Sequence, residues 1–305
     1  MKNKLKNLKV FNMKTTLHSL ALLICMLPLT IFARDFDYKK EFSKSYTVNP
    51  NATLELNCSF ASIEVKTVPG NTIDIHVEVK VDASSEAKAQ KTFDRITVEL
   101  IGNQKKVEVK TDLGKQGNNN ESFEMTITIS APADIQFIGN TSFGTLDLGT
   151  IKGAATINHQ YGELILADAL SADNDIKVSF GSARIGSFGG GSLSTEFGDM
   201  DVENIAGSSK LHNSYGDLEV EHINSTCKKL DIDSSFGDTE IILDSSSSFR
   251  VNASSSFGDV SLPKSMELSR KTTDWNSSNY EGAIGSGSGQ LNVNCSFGDV
   301  KIRMH

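Results

Sequence analysis

The sequence predicts an all-β fold, a right-handed parallel β-helix or β-solenoid with coils of about 20 residues. The first observation is that eight pairs of an aromatic residue and a following glycine recur at a nearly constant period. The second is an alternation of apolar and polar residues on both sides of each pair, which is typical of strands with one buried face. The third is that the repeats lack helical periodicity, which separates them from the leucine-rich repeats.

The period is read from the aromatic residues, which lie 18, 19, 17, 18, 21, 21 and 40 residues apart. The last interval spans two periods, and we interpret Tyr280-Glu281-Gly282 in its middle as a degenerate copy. Twenty residues cannot bury an apolar face alone, so the coils must stack. The repeated pairs are Phe143–Gly144, Tyr161–Gly162, Phe180–Gly181, Phe197–Gly198, Tyr215–Gly216, Phe236–Gly237, Phe257–Gly258 and Phe297–Gly298.

Each coil is predicted to bend at the glycine. The most complete copy reads Ser-Phe-Gly-Asp, as at residues 235–238. In the last copy Leu291 and Val293 alternate before the glycine, while Val300 and Ile302 alternate in the other phase after it. A change of phase requires a corner, because an unbroken strand would turn its apolar residues to the other face. One coil is therefore predicted to consist of a strand, a glycine-aspartate corner, a second strand and a second turn. A third short strand remains an open alternative.

Stacking would bring equivalent aromatic residues together. Neighbouring strands lie about 4.8 Å apart, so about eight coils would form a rod roughly 40 Å long. The aromatic side chains are predicted to form an internal ladder of offset rings along this rod.

Residues 1–33 have the pattern of a secretory signal peptide. Five lysines precede an apolar run from Leu20 to Phe32, and the small residue Ala33 follows. The run is short for a membrane span, so the mature chain is expected to have no transmembrane segment; an uncleaved anchor is the alternative. The protein is therefore expected to be exported, either to the periplasm or outer-membrane surface of a Gram-negative bacterium or into the medium.

Residues 34–134 are predicted to be a β-rich capping region for the solenoid of residues 135–305. Residues 54–63 resemble a degenerate first copy of the repeat, and one short helix is predicted over residues 84–93. Such a region would cover the open end of the solenoid, whose edge strands would otherwise pair with other chains.

The charge balance argues against nucleic acid as a partner. Without the five lysines of the leader, 25 of the 30 basic residues remain against 38 acidic ones, a net charge of −13. Such an acidic chain binds nucleic acid or an anionic membrane poorly. The acidity has two interpretations, which are solubility and the binding of cations.

The cysteines and histidines give no strong signal for chemistry. Beyond the leader lie Cys58, Cys227 and Cys295, an odd number that we interpret as buried small hydrophobic residues, with a disulfide or metal site as the alternative. His159 falls in the inward phase of its strand and is predicted to be a core residue. The sequence has no HExxH, no CxxC pair, no phosphate-binding glycine loop and no GxSxG. We therefore predict a protein that is not an enzyme and has no cofactor.

The acidic residue after the repeated glycine is one candidate for a site. Four of these aspartates are expected on consecutive coils, where a calcium ion could relieve their mutual repulsion. The alternative is structural, because aspartate and glycine are both favoured at turns. This column consists of Glu163, Asp199, Asp217, Asp238, Asp259 and Asp299.

The second candidate is a pair of aromatic residues, Trp275 and Tyr280, in the irregular segment 266–289. An insertion in one repeat often forms the binding face, and aromatic rings suit sugars or a partner protein. The alternative is that Trp275 folds back over the last coil.

The leader, the β-rich region with one helix and coils reading Ser-Phe-Gly-Asp-Val-x-Leu together resemble a bacterial family, the "putative adhesin" β-solenoids. This group of domains of unknown function is related to the autotransporter-adhesin head and to the toastrack envelope proteins. The resemblance covers residues 40–305 and supplies no catalytic motif. It implies an exported, non-enzymatic envelope protein of the kind common in Bacteroidetes.

The sequence thus leads to one primary functional hypothesis and two alternatives. The first is an adhesin that binds glycans or proteins of a host or of the envelope through a repetitive surface, since a rigid rod suits multivalent contacts. The second is a periplasmic partner in envelope-stress signalling. The third is a polysaccharide-active enzyme that uses the stacked aspartates.

Overall fold

The computed structural model describes residues 38–114 and 122–305, which form two long β-sheets around a shared apolar core. The predicted signal peptide lies outside the described residues. Within them, no helix is both long and apolar enough to span a membrane. The all-β prediction is confirmed, and each coil has two strands, so the third strand that was left open does not form.

The N-terminal part adds strands to both sheets. Its elements are β1 (Tyr38–Thr47), β2 (Thr53–Ser59), β3 (Ser62–Thr67), β4 (Thr72–Asp82), α1 (Glu86–Phe93), β5 (Ile96–Gly102), β6 (Lys106–Leu113) and β7 (Ser122–Ala131). The short helix α1 confirms the prediction for residues 84–93, and it buries Ala89 and Phe93. Strands β2 and β3 pair in parallel with β8 and β9, so the degenerate copy at residues 54–63 is a full coil.

The remaining strands alternate between the two sheets. They are β8 (Gln136–Ser142), β9 (Leu146–Ile151), β10 (Ala155–Gln160), β11 (Leu164–Ala169), β12 (Asn174–Ser179), β13 (Ala183–Phe188), β14 (Gly191–Glu196), β15 (Met200–Ile205), β16 (Ser209–Tyr215), β17 (Leu218–Ile223), β18 (Lys229–Phe236), β19 (Thr239–Leu243), β20 (Phe249–Ser256), β21 (Val260–Ser261), β22 (Glu267–Asp274), β23 (Ser277–Ile284), β24 (Gly289–Phe297) and β25 (Val300–Met304).

The coils stack in register. Sheet I has the order β1-β4-β7-β3-β9-β11-β13-β15-β17-β19-β25-β21, and sheet II has the order β22-β23-β20-β24-β18-β16-β14-β12-β10-β8-β2-β6-β5. Equivalent apolar positions are paired, as Leu164 is with Leu146 and Ile157 is with Ile176, and all four are buried. The period-2 alternation therefore sends one face of each strand into a core that runs the length of the solenoid.

The order of the coils in space differs from their order in the chain. The last coil, β24–β25, lies between β18–β19 and β20–β21. The degenerate copy predicted at Tyr280-Glu281-Gly282 is wrong, because these residues lie in β23, which runs antiparallel to β20. Strands β22 and β23 form a hairpin on the free edge of β20. Because β23 runs antiparallel to β20, the chain that leaves β23 can turn back and form β24, which pairs in parallel with β20 on its other side.

The corners are built in two ways. In one group of coils the aromatic residue itself adopts a left-handed conformation, with φ between 57° and 60°; these residues are Phe60, Phe143, Tyr161, Phe180, Phe197 and Phe257. In another group the glycine has a positive φ, as at Gly216, Gly237 and Gly298. The predicted glycine corner therefore describes the second group, whereas in the first group the aromatic residue turns the chain one residue earlier; at Phe143 and Gly144 both residues have a positive φ.

Candidate functional site: the aromatic ladder and the Trp275 hairpin

The repeated aromatic residues form one continuous stack, which we call the aromatic ladder. Neighbouring ring centroids are 4.4 to 5.0 Å apart and the planes differ by at most 7°. The spacing follows that of the strands beneath the rings. In spatial order the ladder is Phe60, Phe143, Tyr161, Phe180, Phe197, Tyr215, Phe236, Phe297 and Phe257.

The ladder lies on the outside of the solenoid, so the prediction of an internal ladder is wrong. Its nine rings are 42 to 53% exposed, whereas the apolar residues of the strands below them are buried. The strand alternation would place each ring inward, but the ring stands at the corner. At the corner, either the left-handed φ of the aromatic residue breaks the alternation, or the strand extends beyond the edge of the buried core.

The stacking decides which part of each ring a ligand could reach. Both faces of an interior ring pack against its neighbours, so the ring edges point to solvent. Sugar rings bind to an open aromatic face, which the interior of the ladder does not offer. The ladder is therefore better suited to an apolar surface that lies along it than to glycans.

The aspartate column is a second ladder, two residues beyond the rings. The Oδ1 atom of each aspartate accepts a hydrogen bond of 2.8 to 3.0 Å from the backbone N–H of the next, in the order Asp199, Asp217, Asp238, Asp299 and Asp259. The expectation that Asp199 to Asp259 lie on consecutive coils is wrong, because Asp299 lies between Asp238 and Asp259. Glu163 instead pairs with Arg184, with Oε1 and Nη1 2.7 Å apart.

These hydrogen bonds give the aspartates a structural role, because each carboxylate satisfies a corner N–H of the adjacent coil. Among the described residues, no group of three or more His, Cys, Asp or Glu side chains is arranged to hold a metal ion. The hydrogen bonds along the column therefore support the turn interpretation.

Substitution at Asp238 tests this role. We expect Asp238→Ala to lower the free energy of unfolding by about 1 kcal/mol, because it leaves the Asp299 N–H without its acceptor. Asp238→Asn retains an acceptor oxygen and removes one charge, so its stability should equal or exceed that of the wild type. Urea denaturation measures the free energy of unfolding of both variants. Millimolar calcium should leave the melting temperature unchanged, and a calcium-dependent rise that Asp238→Asn abolishes would contradict the structural role.

Trp275 occupies the tip of the β22–β23 hairpin, next to the last ring of the ladder. Its side chain is 90% exposed, and it meets Phe257 edge to face with centroids 6.3 Å apart. Strands β22 and β23 pair up to Asp274 and Ser277, so only Trp275 and Asn276 form the turn. The predicted alternative, in which the tryptophan covers the last coil, does not occur.

Tyr280 lies apart from this tip. Its ring is half-buried, and the Lys271 ammonium lies 5.2 Å from the ring centroid. The rings of Trp275 and Tyr280 thus contact different neighbours, and the exposed indole is the part of the segment that is free to contact a ligand.

The remaining polar and sulfur-containing side chains that sequence analysis singled out are buried. His159 is a core residue whose Nδ1 lies 2.8 Å from Thr141 Oγ1, and burial lowers the pKa of its imidazole. Cys58, Cys227 and Cys295 are free and buried. Burial raises the pKa of the Cys58 thiol to about 11, so this side chain stays protonated and unreactive at neutral pH.

Sequence analysis missed one polar pair, Ser43 and His76, whose Oγ and Nδ1 are 3.0 Å apart. They lie opposite each other on the antiparallel strands β1 and β4, and 33 residues separate them in the chain. Only the strand register brings them together, so no local motif could have indicated the pair. Both side chains lie on an exposed sheet face.

The fold and this surface define a class of protein, a two-sheeted β-solenoid that carries its repeated aromatic residues on the outside. The chain belongs to the Toastrack DUF4097 family, whose family model matches residues 52–303. No curated protein sequence matches the chain at a significant level.

Several solved structures are similar over most of their length. One, described as a "putative adhesin" from Bacteroides fragilis, is 12% identical, covers 86% of this chain and 97% of its own, and has a TM-score of 0.38. Another "putative adhesin", from Parabacteroides merdae, is 11% identical with coverages of 87% and 96% and a TM-score of 0.32. A "putative lipid binding protein" from Parabacteroides distasonis is 11% identical with coverages of 89% and 99% and a TM-score of 0.27. These values support no conclusion about function.

Proposed function

We propose that this protein is an exported, non-enzymatic protein of the cell envelope that acts as an adhesin, and that it binds its ligand at the exposed tip of the β22–β23 hairpin rather than through the repeated rings. The pattern of a signal peptide in the sequence of residues 1–33 supports export. The depression lined by Ser43, Asp74 and His76 is shallow and open to solvent, which supports binding at the surface of the solenoid.

The observation that carries the proposal is the exposure of Trp275. Tryptophan is buried on average, so an indole with 90% of its surface in solvent is unusual. A hairpin on the edge of a stacked sheet holds this residue, and its ring lies nearly perpendicular to that of Phe257. A tryptophan side chain offers a large aromatic face with only two rotatable bonds and so loses little conformational entropy on binding, which is one reason why tryptophan is common among the residues that dominate binding energy.

The chemistry of this face favours a glycan over the other ligands considered for the adhesin. The indole presents an open face, as a sugar ring requires, whereas the interior rings of the ladder do not. Around it lie Asn276, Ser277 and Ser278, whose polar groups can hydrogen-bond to sugar hydroxyls. We therefore assign the glycan contact to the hairpin tip.

The binding test compares two substitutions on one hairpin. We expect Trp275→Ala to weaken binding to an oligosaccharide array at least about tenfold, because the array ligand loses its stacking face. The matched control is Leu268→Ala, which removes an exposed apolar side chain from β22 and should leave binding unchanged. An array that binds wild type and Trp275→Ala equally would contradict the assignment.

The location is tested by protease treatment of intact cells, with an antibody that detects the chain. Cleavage without lysis supports an adhesin on the outer surface. Protection until the outer membrane is opened would contradict the adhesin proposal and favour the periplasmic signalling alternative.

A further inference from the structure

We infer that the aromatic ladder is an interface between two copies of this chain, which pack against each other along the ladder in antiparallel directions. This surface does not include Trp275, which meets the ladder only at its last ring, Phe257. It also differs from the sheet edges, where charged residues on β1 and β22 discourage pairing with another chain.

The exposed area is the first reason. A free aromatic side chain has about 200 Å² of surface, so nine rings that are 42 to 53% exposed leave roughly 800 Å² open in one strip. The largest apolar patch on a typical monomer is about 300–600 Å², and larger patches mark interaction sites. A standard protein interface buries about 800 Å² on each partner, which the ladder alone supplies.

The shape of the strip is the second reason. The ring planes differ by at most 7° between neighbours, so the ladder is a nearly straight ridge with an even repeat. The surface that matches its length, straightness and repeat is the same ridge on another copy. A two-fold axis would then give the self-complementary interface that symmetric dimers use.

The distribution of charge indicates whether the two copies pack in parallel or antiparallel directions. The carboxylates of the aspartate column, from Asp199 to Asp259, lie beside the C-terminal half of the aromatic ladder, and Glu196 lies on the other side of the rings. Beside the N-terminal half the corresponding residues are mostly Ser and Thr, such as Ser182 and Thr145. A parallel pair would gather both sets of carboxylates at one end, whereas an antiparallel pair places most of them at opposite ends. Like charges then meet at the middle coil and where Glu163, which is paired with Arg184, lies opposite Asp238.

The antiparallel arrangement specifies which rings meet. Phe197 is the fifth of nine rings and lies on the two-fold axis, opposite its own copy. Phe143, second in the ladder, lies opposite Phe297, which is eighth. The two Trp275 tips then stand at opposite ends of the pair, so a dimer would present two separate glycan contacts and gain from multivalent binding.

The oligomeric state is the first test. Sedimentation of the protein as its cells export it should show a dimer at about 100 µM, a concentration that favours an interface of standard size. The double variant Phe180→Ser, Phe197→Ser should sediment as a monomer while it retains the wild-type circular dichroism spectrum. The matched control is Leu170→Ser, because Leu170 is equally exposed but lies after β11, outside the ladder, and this variant should remain dimeric.

Cross-linking tests the direction, and it uses folded protein only. The three native thiols in the described part of the chain are buried, so a short bis-maleimide is expected to react with introduced cysteines. Phe143→Cys alone should not cross-link, whereas a mixture of Phe143→Cys and Phe297→Cys chains should. Phe197→Cys should cross-link with itself.

Three outcomes would overturn the inference. They are a wild-type monomer at about 100 µM, a dimer that survives loss of Phe180 and Phe197, and efficient cross-linking of Phe143→Cys with itself, which would indicate a parallel pair. None of them affects the test at Trp275, since glycan binding by a monomer would still show the tenfold loss.

Discussion

Replacing Gly181 with alanine is expected to destabilise the solenoid by at least about 3 kcal/mol. A Cβ atom at this position would overlap the carbonyl oxygen of Gly162 in the adjacent coil. The obstacle is backbone rather than the end of a flexible side chain, so only a separation of the two coils can relieve it. Urea denaturation followed by circular dichroism would measure the loss.

Gly70→Ala is the matched control for this substitution. Gly70 has a φ of +119°, so alanine is strained there, but nothing lies within 4 Å of the added Cβ. This variant should lose only the conformational term of about 1–2 kcal/mol. Equal losses in the two variants would contradict the conclusion that close contact between coils requires the repeated glycine.

The second large effect is expected at Phe188, which is fully buried in β13. Phe188→Ala should lower the free energy of unfolding by about 3–5 kcal/mol, because it removes a buried ring and leaves a cavity between coils. The neighbouring coils pack Ala169 and Ile205 beside it in register, so the rigid stack can collapse only a little into the space.

Phe180→Ala is the comparison, because it makes the same chemical change at a residue of the aromatic ladder that lies eight positions from Phe188 in the chain. Phe180 is half-exposed, and it stacks on Tyr161 and Phe197. We expect a loss of about 1–2 kcal/mol from partial burial and two stacking contacts. The urea midpoints of both variants, measured at a concentration where the chain is monomeric, check this order. A larger loss for Phe180→Ala than for Phe188→Ala would mean that the ladder, and not the core, holds the coils together.

Local patterns were sufficient for the coils and for the short helix. The alternation around residues 291–302 depends on which side chains must leave water, and that is a property of each strand by itself. The same reasoning found the full coil at residues 54–63, although its corner lacks the glycine. The candidate site was predicted less completely than the fold, because the sequence identified Trp275 and Asp238 without showing what surrounds them.

The sequence by itself determined the period, the two strands of each coil that flank the corner, the buried cysteines and the acidic character of the surface. Only the tertiary structure decided that the rings lie outside, that β24 inserts between β18 and β20, and that Asp299 follows Asp238 in space. The reason is that these features depend on backbone angles at single corner residues and on the choice of neighbouring strand. The apolar pattern is the same for each of the competing arrangements, so it could not distinguish among them.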